Sequence, residues 1–287
     1  MLSAEKIPIT QEEFKLLRDY IADQSGIFVG DQKLYLIESR LTVLVIENGC
    51  RSFHEFYRKA ANNPHNGLRD KIIDAITTNE TLWFRDQTPW SILKEVIIPD
   101  FFNALSKRVK SKIRIWSAAS STGQEPYSIA MVLDEALRER PGRDIGPEHF
   151  EIFATDISPS ALFLAMAGRY DQIAMSRGMN ERFRDRYFTQ RGRVWELDPV
   201  IRKRVTFKQM NLQTPFSPLG KFDLIMCRNV AIYFSDTFKR DLFSRMASTL
   251  DSRGYFFVGS AESLTGYSDD FELLEHKRGI YYRVKGR

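Results

Sequence analysis

Apolar residues recur at helical spacing through the first eighty positions of the chain. Phe14, Leu17 and Ile21 follow one another at intervals of three and four behind Thr10-Gln-Glu-Glu13. That opening has the spacing of a capping box, in which the threonine hydroxyl and the glutamate carboxylate each satisfy a main-chain N–H, so a helix starts at Thr10. Leu34, Ile37, Leu41, Leu44 and Val45 make a second stripe from about Asp31, with Asn48-Gly49 as its stop. Ser52-Phe-His-Glu55 repeats the capping-box spacing, and Leu68, Ile72, Ile73 and Ile76 mark a further helix. Short helices without a strand pattern predict a small bundle suited to docking or packing.

From about Lys112 the period changes. Lys112-Ile-Arg-Ile-Trp-Ser-Ala118 alternates toward an apolar face, passes through Ser120-Ser-Thr-Gly123 and enters a helix predicted over 125–138. His149-Phe-Glu-Ile-Phe-Ala-Thr155 is the next strand, ending at Asp156, and Pro159 opens another helix. Phe222-Asp-Leu-Ile-Met-Cys227 is a third strand, a helix follows over 236–250, and Tyr255-Phe-Phe-Val258 is a fourth strand. Strands alternating with helices predict a parallel sheet with right-handed crossovers. Phe271-Glu-Leu-Leu and Ile280-Tyr-Tyr-Arg-Val flank Lys277-Arg-Gly279 as a terminal hairpin. Between these elements, Tyr187-Phe-Thr-Gln, Val194-Trp-Glu-Leu and Val205-Thr-Phe-Lys read as the strands of a small inserted antiparallel sheet.

Charge sharpens this division. The chain of 287 residues carries +5, with a pI near 9.1, but residues 1–80 hold 10 basic against 12 acidic side chains. Eleven basic and five acidic side chains fall within 169–208. Two readings stay open: a basic, edge-rich sheet that docks an acidic partner, or arginines that form solvated faces. The two cysteines, Cys50 and Cys227, give no disulfide framework. His54, His65, His149 and His276 have no ligand spacing, so no metal is expected. Met1-Leu-Ser-Ala-Glu-Lys-Ile-Pro8 lacks the features of a signal peptide, and no apolar run approaches the roughly 18 residues of a membrane span. A cytoplasmic protein is expected.

In an open parallel sheet, ligands bind at the carboxyl ends of the strands. The loop Ser117-Ala-Ala-Ser-Ser-Thr-Gly-Gln-Glu-Pro-Tyr-Ser128 has one glycine, so the dinucleotide fingerprint of three spaced glycines is absent. Glu125 places a carboxylate at the start of the next helix, for a ligand or simply for the helix dipole. Asp156 ends the second strand, where a carboxylate can accept from both hydroxyls of a ribose or merely form a turn before Ser158-Pro159. In Cys227-Arg-Asn-Val-Ala-Ile-Tyr-Phe234 polar residues interrupt an apolar run; Arg228, Asn229 and Tyr233 are the candidates there, and Cys227 is read as buried filler.

Taken in order, Thr77-Thr-Asn79-x-Thr81-x-x-Phe84-Arg85, Trp116-Ser-Ala-Ala-Ser-x-Thr-Gly-x-Glu-Pro-Tyr-Ser128, Ala154-Thr-Asp156-Ile, Asn211-Leu and Cys227-Arg-Asn-Val-x-Ile-Tyr-Phe234 resemble the chemotaxis receptor glutamate methyltransferases, the CheR family. The resemblance covers essentially the whole chain. It implies an all-α N-terminal domain over 1–80 that docks on receptors. It further implies an α/β, Rossmann-like S-adenosylmethionine-dependent methyltransferase domain over 81–287, with a small antiparallel β-subdomain inserted at about 170–208. It also implies that Asn79, Thr81, Arg85, Glu125, Asp156, Asn211, Leu212, Arg228 and Asn229 bind the cofactor, Glu125 through its amino group and Asp156 through its ribose. Arg85 and Tyr233 would face the substrate carboxylate as catalytic residues. S-adenosylmethionine would be consumed to S-adenosylhomocysteine, and the partner would be the cytoplasmic domain of chemoreceptors with its acidic methylation helices. A monomer is expected, with no nucleic acid bound and no membrane insertion. Trp83 stands where the family often has Phe. The loop Thr189-Gln-Arg-Gly-Arg193 is shorter than in members that bind a receptor's C-terminal peptide, so the resemblance does not carry tethering over to it. Two other readings remain: a nucleic-acid methyltransferase, encouraged by the basic pI, and a non-catalytic scaffold that docks on receptors.

Overall fold

The computed structural model describes residues 7–63, 67–140 and 144–286; residues 1–6 of the N-terminal reading and His65 lie outside them. Helices α1 (Gln11–Ser25), α2 (Leu34–Glu47), α3 (Phe53–Asn62) and α4 (Leu68–Ile76) enclose a core of their own around Phe14, Leu17, Ile37, Leu41, Phe53 and Ile72. The capping box forms as read: the Thr10 hydroxyl accepts from Glu13 N at 3.2 Å and Glu13 Oε2 accepts from Thr10 N at 2.9 Å. Ser52 caps α3, but Glu55 bonds Arg51 N, one residue before the cap. Gly26 ends α1 at φ +77°, and a Cβ there would lie 2.4 Å from the Phe238 ring of the following domain. Glycine is needed because the helical bundle approaches its neighbour so closely.

Helices α5 (Gln87–Ile92) and α6 (Ile98–Ser106) join through a π-helical turn over Leu93–Ile97, in a stretch the sequence reading left without an element. Next come β1 (Ile113–Ala118), α7 (Gln124–Arg138), β2 (Phe150–Asp156) and α8 (Pro159–Ala167). The insertion carries β3 (Arg169–Asp171), α9 (Gln172–Ser176), α10 (Glu181–Tyr187), β4 (Phe188–Arg191), β5 (Val194–Leu197) and α11 (Pro199–Arg202). The chain then runs through β6 (Val205–Gln209), β7 (Phe222–Cys227), α12 (Asp236–Thr249), β8 (Leu250–Phe257), β9 (Phe271–His276) and β10 (Gly279–Val284).

The main sheet has the order β6-β2-β1-β7-β8-β10-β9, parallel except for the closing hairpin. From β1 the chain steps to β2 and β6 on one side, then returns to β7 and β8 on the other. The β1/β7 boundary is therefore the topological switch point, where loops diverge and leave a crevice. One expected strand belongs elsewhere. The alternation of Val205-Thr-Phe-Lys predicts a strand of the small sheet, yet it pairs in parallel with β2, Ile152 opposite Val205, and Arg169–Asp171 completes the small sheet beside β5. Val205 is buried in the main core and Phe207 packs against it. Alternation reports that a strand has one buried face, and both sheets satisfy it equally.

Candidate active site

The loops after β1, β2 and β7 and the linker 77–86 surround a cavity open to solvent. Ser25, Ile27 and Ile76 bring the helical bundle into its wall. The two domains are stitched beside it by a bridge between Ile27 and Phe234 and by Phe28 N donating to Tyr233 O at 2.8 Å. Arg40 of α2 donates to the Ile76 carbonyl and, at 3.2 Å, to that of Thr77, fixing the linker where it leaves α4. Five of the seven described non-glycine residues with positive φ lie in these loops: Phe84, Asp86, Ala119, Ser121 and Asn229. Each such conformation costs on the order of 1–3 kcal/mol and persists only where surrounding bonds enforce it.

Asp156 sits at the end of β2 with its carboxylate nearly buried. Ser121 N donates to one oxygen at 2.7 Å and Ser158 N to the other at 2.9 Å, so the group is aimed but retains acceptor capacity. Burial raises its pKa, against the opposing pull of these backbone bonds. Glu125 begins α7. Ser117 Oγ donates to its Oε1 at 2.7 Å, and Arg228 Nη1 to its Oε2 at 2.9 Å. Burial again dominates and raises its pKa, with Arg228 and Ser117 offsetting only part of the cost. The Arg228 side chain is 1% exposed and also donates to the Arg85 carbonyl at 2.7 Å and to Asp86 at 2.9 Å. Its guanidinium therefore clamps the linker to Glu125.

Arg85 lines the cavity with only a 3.3 Å bond from Nη1 to the Glu80 carbonyl, and among the described residues no carboxylate pairs with it. Tyr233 lines the same cavity, half-buried. Asn79 bonds Ser158 Oγ at 3.4 Å and receives Ser121 Oγ on its carbonyl at 3.0 Å; Thr81 lies further along the same wall. Leu212 and Met210 give an apolar wall. Asn211 between them turns away: its amide donates to Gln24 O at 2.8 Å and its Oδ1 accepts from Gln213 N. This residue joins the site loop to the end of α1. Ser120 Oγ is buried in the cavity wall without a hydrogen-bond partner. Cys227 is fully buried, and burial pushes its thiol well above the ordinary range, far from a thiolate.

Sequence reasoning missed Glu262, whose carboxylate accepts from Asn229 N at 2.6 Å, Val230 N at 3.1 Å, Ile232 N at 3.2 Å and Gly259 N at 2.6 Å. The spacing Gly259-Ser-Ala-Glu262, that of a cap and its return carboxylate, was the available signal. Several arginines of the basic stretch are engaged within the fold. Arg182 and Arg186 bond Glu135, Arg204 bonds Asp134 at 2.7 Å, and Arg177 bonds Glu80 at 2.5 Å. Arg182, Arg186 and Arg177 stay exposed while they make these bonds, as a solvated face implies, and Arg204 is the one largely buried tie of the four.

Among the described residues no helix is long and apolar enough to cross a membrane. The profile of the CheR methyltransferase all-alpha domain matches residues 12–77, and that of the CheR methyltransferase SAM binding domain matches residues 79–280. A chemotaxis protein methyltransferase of Pseudomonas putida is 41% identical over 275 residues, covering 95% of this chain and 98% of that protein. Another from Vibrio cholerae is 42% identical over 280 residues, covering 97% and 99%. With both domains matched in order along nearly the whole length, the chain belongs to the CheR methyltransferase family, whose cofactor is S-adenosylmethionine.

Proposed function

We propose that this chain methylates glutamate side chains of chemoreceptors in the cytoplasm, leaving γ-methyl esters and S-adenosylhomocysteine. The observation that carries the reading is the meeting, in one cavity, of a buried carboxylate, Asp156, and a largely buried one, Glu125, with Arg85, which no carboxylate pairs among the described residues. The buried carboxylates suit S-adenosylmethionine: Asp156 retains acceptors for a ribose diol, and Glu125 is a desolvated anion short of positive charge. The partnerless Ser120 Oγ offers a further polar contact, and Ile157, Met210 and Leu212 give an apolar wall for adenine. Asn79, Thr81 and Asn229 complete this half of the pocket, with Arg228 holding Glu125 in place.

When bound, S-adenosylmethionine supplies a methyl carbon that leaves its sulfur as the carboxylate oxygen bonds to it. A glutamate with a pKa of about 4.3 is ionised at neutral pH, so the chain needs no general base. Its task is alignment and exclusion of water. Arg85 would receive the incoming carboxylate with its guanidinium fork, and the Tyr233 hydroxyl would donate to the oxygen that is not attacking. A fully bidentate pair would hold the nucleophile too tightly, so one oxygen is left for the reaction.

The experiment is a titration of S-adenosylhomocysteine paired with transfer of radiolabelled methyl groups to purified receptor cytoplasmic fragments. The protein binds the ligand and forms alkali-labile methyl esters. Asp156→Ala loses about 100-fold in affinity, the worth of two charge-assisted hydrogen bonds. Arg85→Ala slows transfer while affinity stays within about twofold, because it removes a contact made to the substrate. Methyl groups that survive mild alkali, or no transfer at all, would overturn the glutamate reading.

A further inference from the structure

Glu262 lies outside the lining of the cavity and touches none of the groups assigned to cofactor or substrate through its own side chain, except the main chain of Asn229. Its carboxylate nevertheless governs the β7 loop. Three of its four N–H partners belong to Asn229, Val230 and Ile232, and the fourth to Gly259 in the loop after β8. Glu262 N returns a bond to Gly259 O at 2.9 Å, so a reciprocal turn fixes the glutamate before it reaches across. Asn229 takes φ +58° at the point of contact, a left-handed backbone that a 2.6 Å bond to the carboxylate holds in place. Either side of this point the same loop carries the Arg228 clamp and Tyr233.

We propose that Glu262 is a positioning residue for methyl transfer, acting through the main chain of 229–232 to aim Arg228, Asn229 and Tyr233 into the cavity. This rests on the methyltransferase reading above. Only a carboxylate serves, because each of its oxygens accepts two N–H groups. A glutamine offers one such oxygen. Its NH2 would face two N–H donors, whichever way the amide turned, and either pair of loop bonds would be lost.

Glu262→Gln, of matched size at a half-buried position, tests the idea with three readouts: S-adenosylhomocysteine affinity, the kcat and KM of methyl transfer to receptor fragments, and the unfolding midpoint. The proposal expects kcat to fall about 100-fold, as for a misplacement of the order of 1 Å. Ligand affinity should weaken by about tenfold, the equivalent of one lost hydrogen bond of the stronger kind, with receptor KM within about twofold. Gly259→Ala presses on the same junction while keeping the carboxylate, since its Cβ would lie 2.5 Å from Asn229 Nδ2 and 2.7 Å from Glu262 Oε2. It should shift kcat and ligand affinity in the same direction by a smaller factor. A lowered midpoint with kcat and affinity unchanged in the folded protein would overturn the proposal and leave Glu262 a structural staple. If the unsubstituted protein bound S-adenosylhomocysteine but methylated no glutamate, the functional reading would fail. The role of Glu262 would then be decided on ligand affinity alone, with an unchanged value overturning it.

Discussion

Both ends of α7 carry carboxylates that meet arginines, and the two ends titrate in opposite directions. In its C-terminal half, burial works to raise Asp134 and Glu135. Hydrogen bonds from Arg138 to the first and Arg186 to the second, the one Tyr187 hydroxyl hydrogen shared between them, and Arg204 and Arg182 beside them outweigh that cost and leave both carboxyls lowered. At the N-terminus, burial raises Glu125, and Arg228, shared with Asp86 and the Arg85 carbonyl, together with the Ser117 hydroxyl and the charge of Arg85, does not restore it. The first end has more donors than it needs and ties the insertion to the sheet domain. The second is left short of positive charge beside a cavity, which is the condition for holding a ligand's ammonium group. The same residue types serve packing or binding according to how many donors reach them.

The strongest way to break this contrast is Arg228→Ala. Removing the buried guanidinium leaves Glu125, whose side chain is 14% exposed, with the Ser117 hydroxyl as its remaining donor, and the cost is about 3 kcal/mol of folding stability, the lower end for a broken buried pair. Urea unfolding measures it, and S-adenosylhomocysteine binding should fail in the same variant. A loss below about 1 kcal/mol would place the pair with surface ion pairs and erase the distinction between the two ends.

Acid separates the ends more gently. Because the folded pKa of Glu125 is raised above its ordinary 4.5, its ionised form costs folding stability at neutral pH, and that cost disappears as pH falls through the raised value. On the proposed reading the ligand's ammonium group sits against Glu125 and favours the ionised form, so affinity should drop over the same window. Below the raised pKa the fall approaches about tenfold per pH unit. Asp134 and Glu135 behave inversely: their folded values lie below 3.8 and 4.5, so the stability they contribute is complete above those values and fades only as pH falls further. Calorimetry between pH 7 and 4.5 should therefore show ligand affinity declining while the insertion stays folded by circular dichroism. Constant affinity down to pH 4.5 would mean that Glu125 does not meet the ammonium group.

The elements that position the site are legible in the chain because each depends on local pattern. The Thr10 capping box is fixed by neighbours three residues apart. The runs of β1 and β7 end in polar loops at the places where the cavity opens, so Glu125, Asp156 and Arg228 stand out from the apolar strands before them. What stayed hidden depends on long-range partners. Val205–Gln209 alternates equally well for either sheet, and only the pairing with β2 decides between them. Asn211 gives no sign that its amide turns to Gln24, 187 positions earlier. The Gly259-Ser-Ala-Glu262 spacing signals a local turn, but nothing in it shows that the carboxylate reaches across to the main chain of the β7 loop. The helices over 87–106 do follow local pattern, since Trp90, Leu93, Ile97 and Phe101 keep helical spacing even through the π turn at Leu93–Ile97.

The smallest effect lies at the other end of α7. Arg182 and Arg186 both bond Glu135, with side chains 63% and 44% exposed. Exposed guanidinium groups gain little from an ion pair, so Arg182→Ala and Arg186→Ala should each cost about 0–1 kcal/mol by urea unfolding. Neither variant orphans Glu135, because the other arginine remains and the Tyr187 hydroxyl, whose one hydrogen it shares with Asp134, lies 2.8 Å away. S-adenosylhomocysteine affinity should stay unchanged in both. The double variant is the sharper measurement: with Tyr187 as the last donor to a side chain only 6% exposed, its cost should exceed the sum of the single losses. Additive losses would mean that the arginines act independently, and the surplus of donors at this end would then have no role in keeping its carboxylates charged.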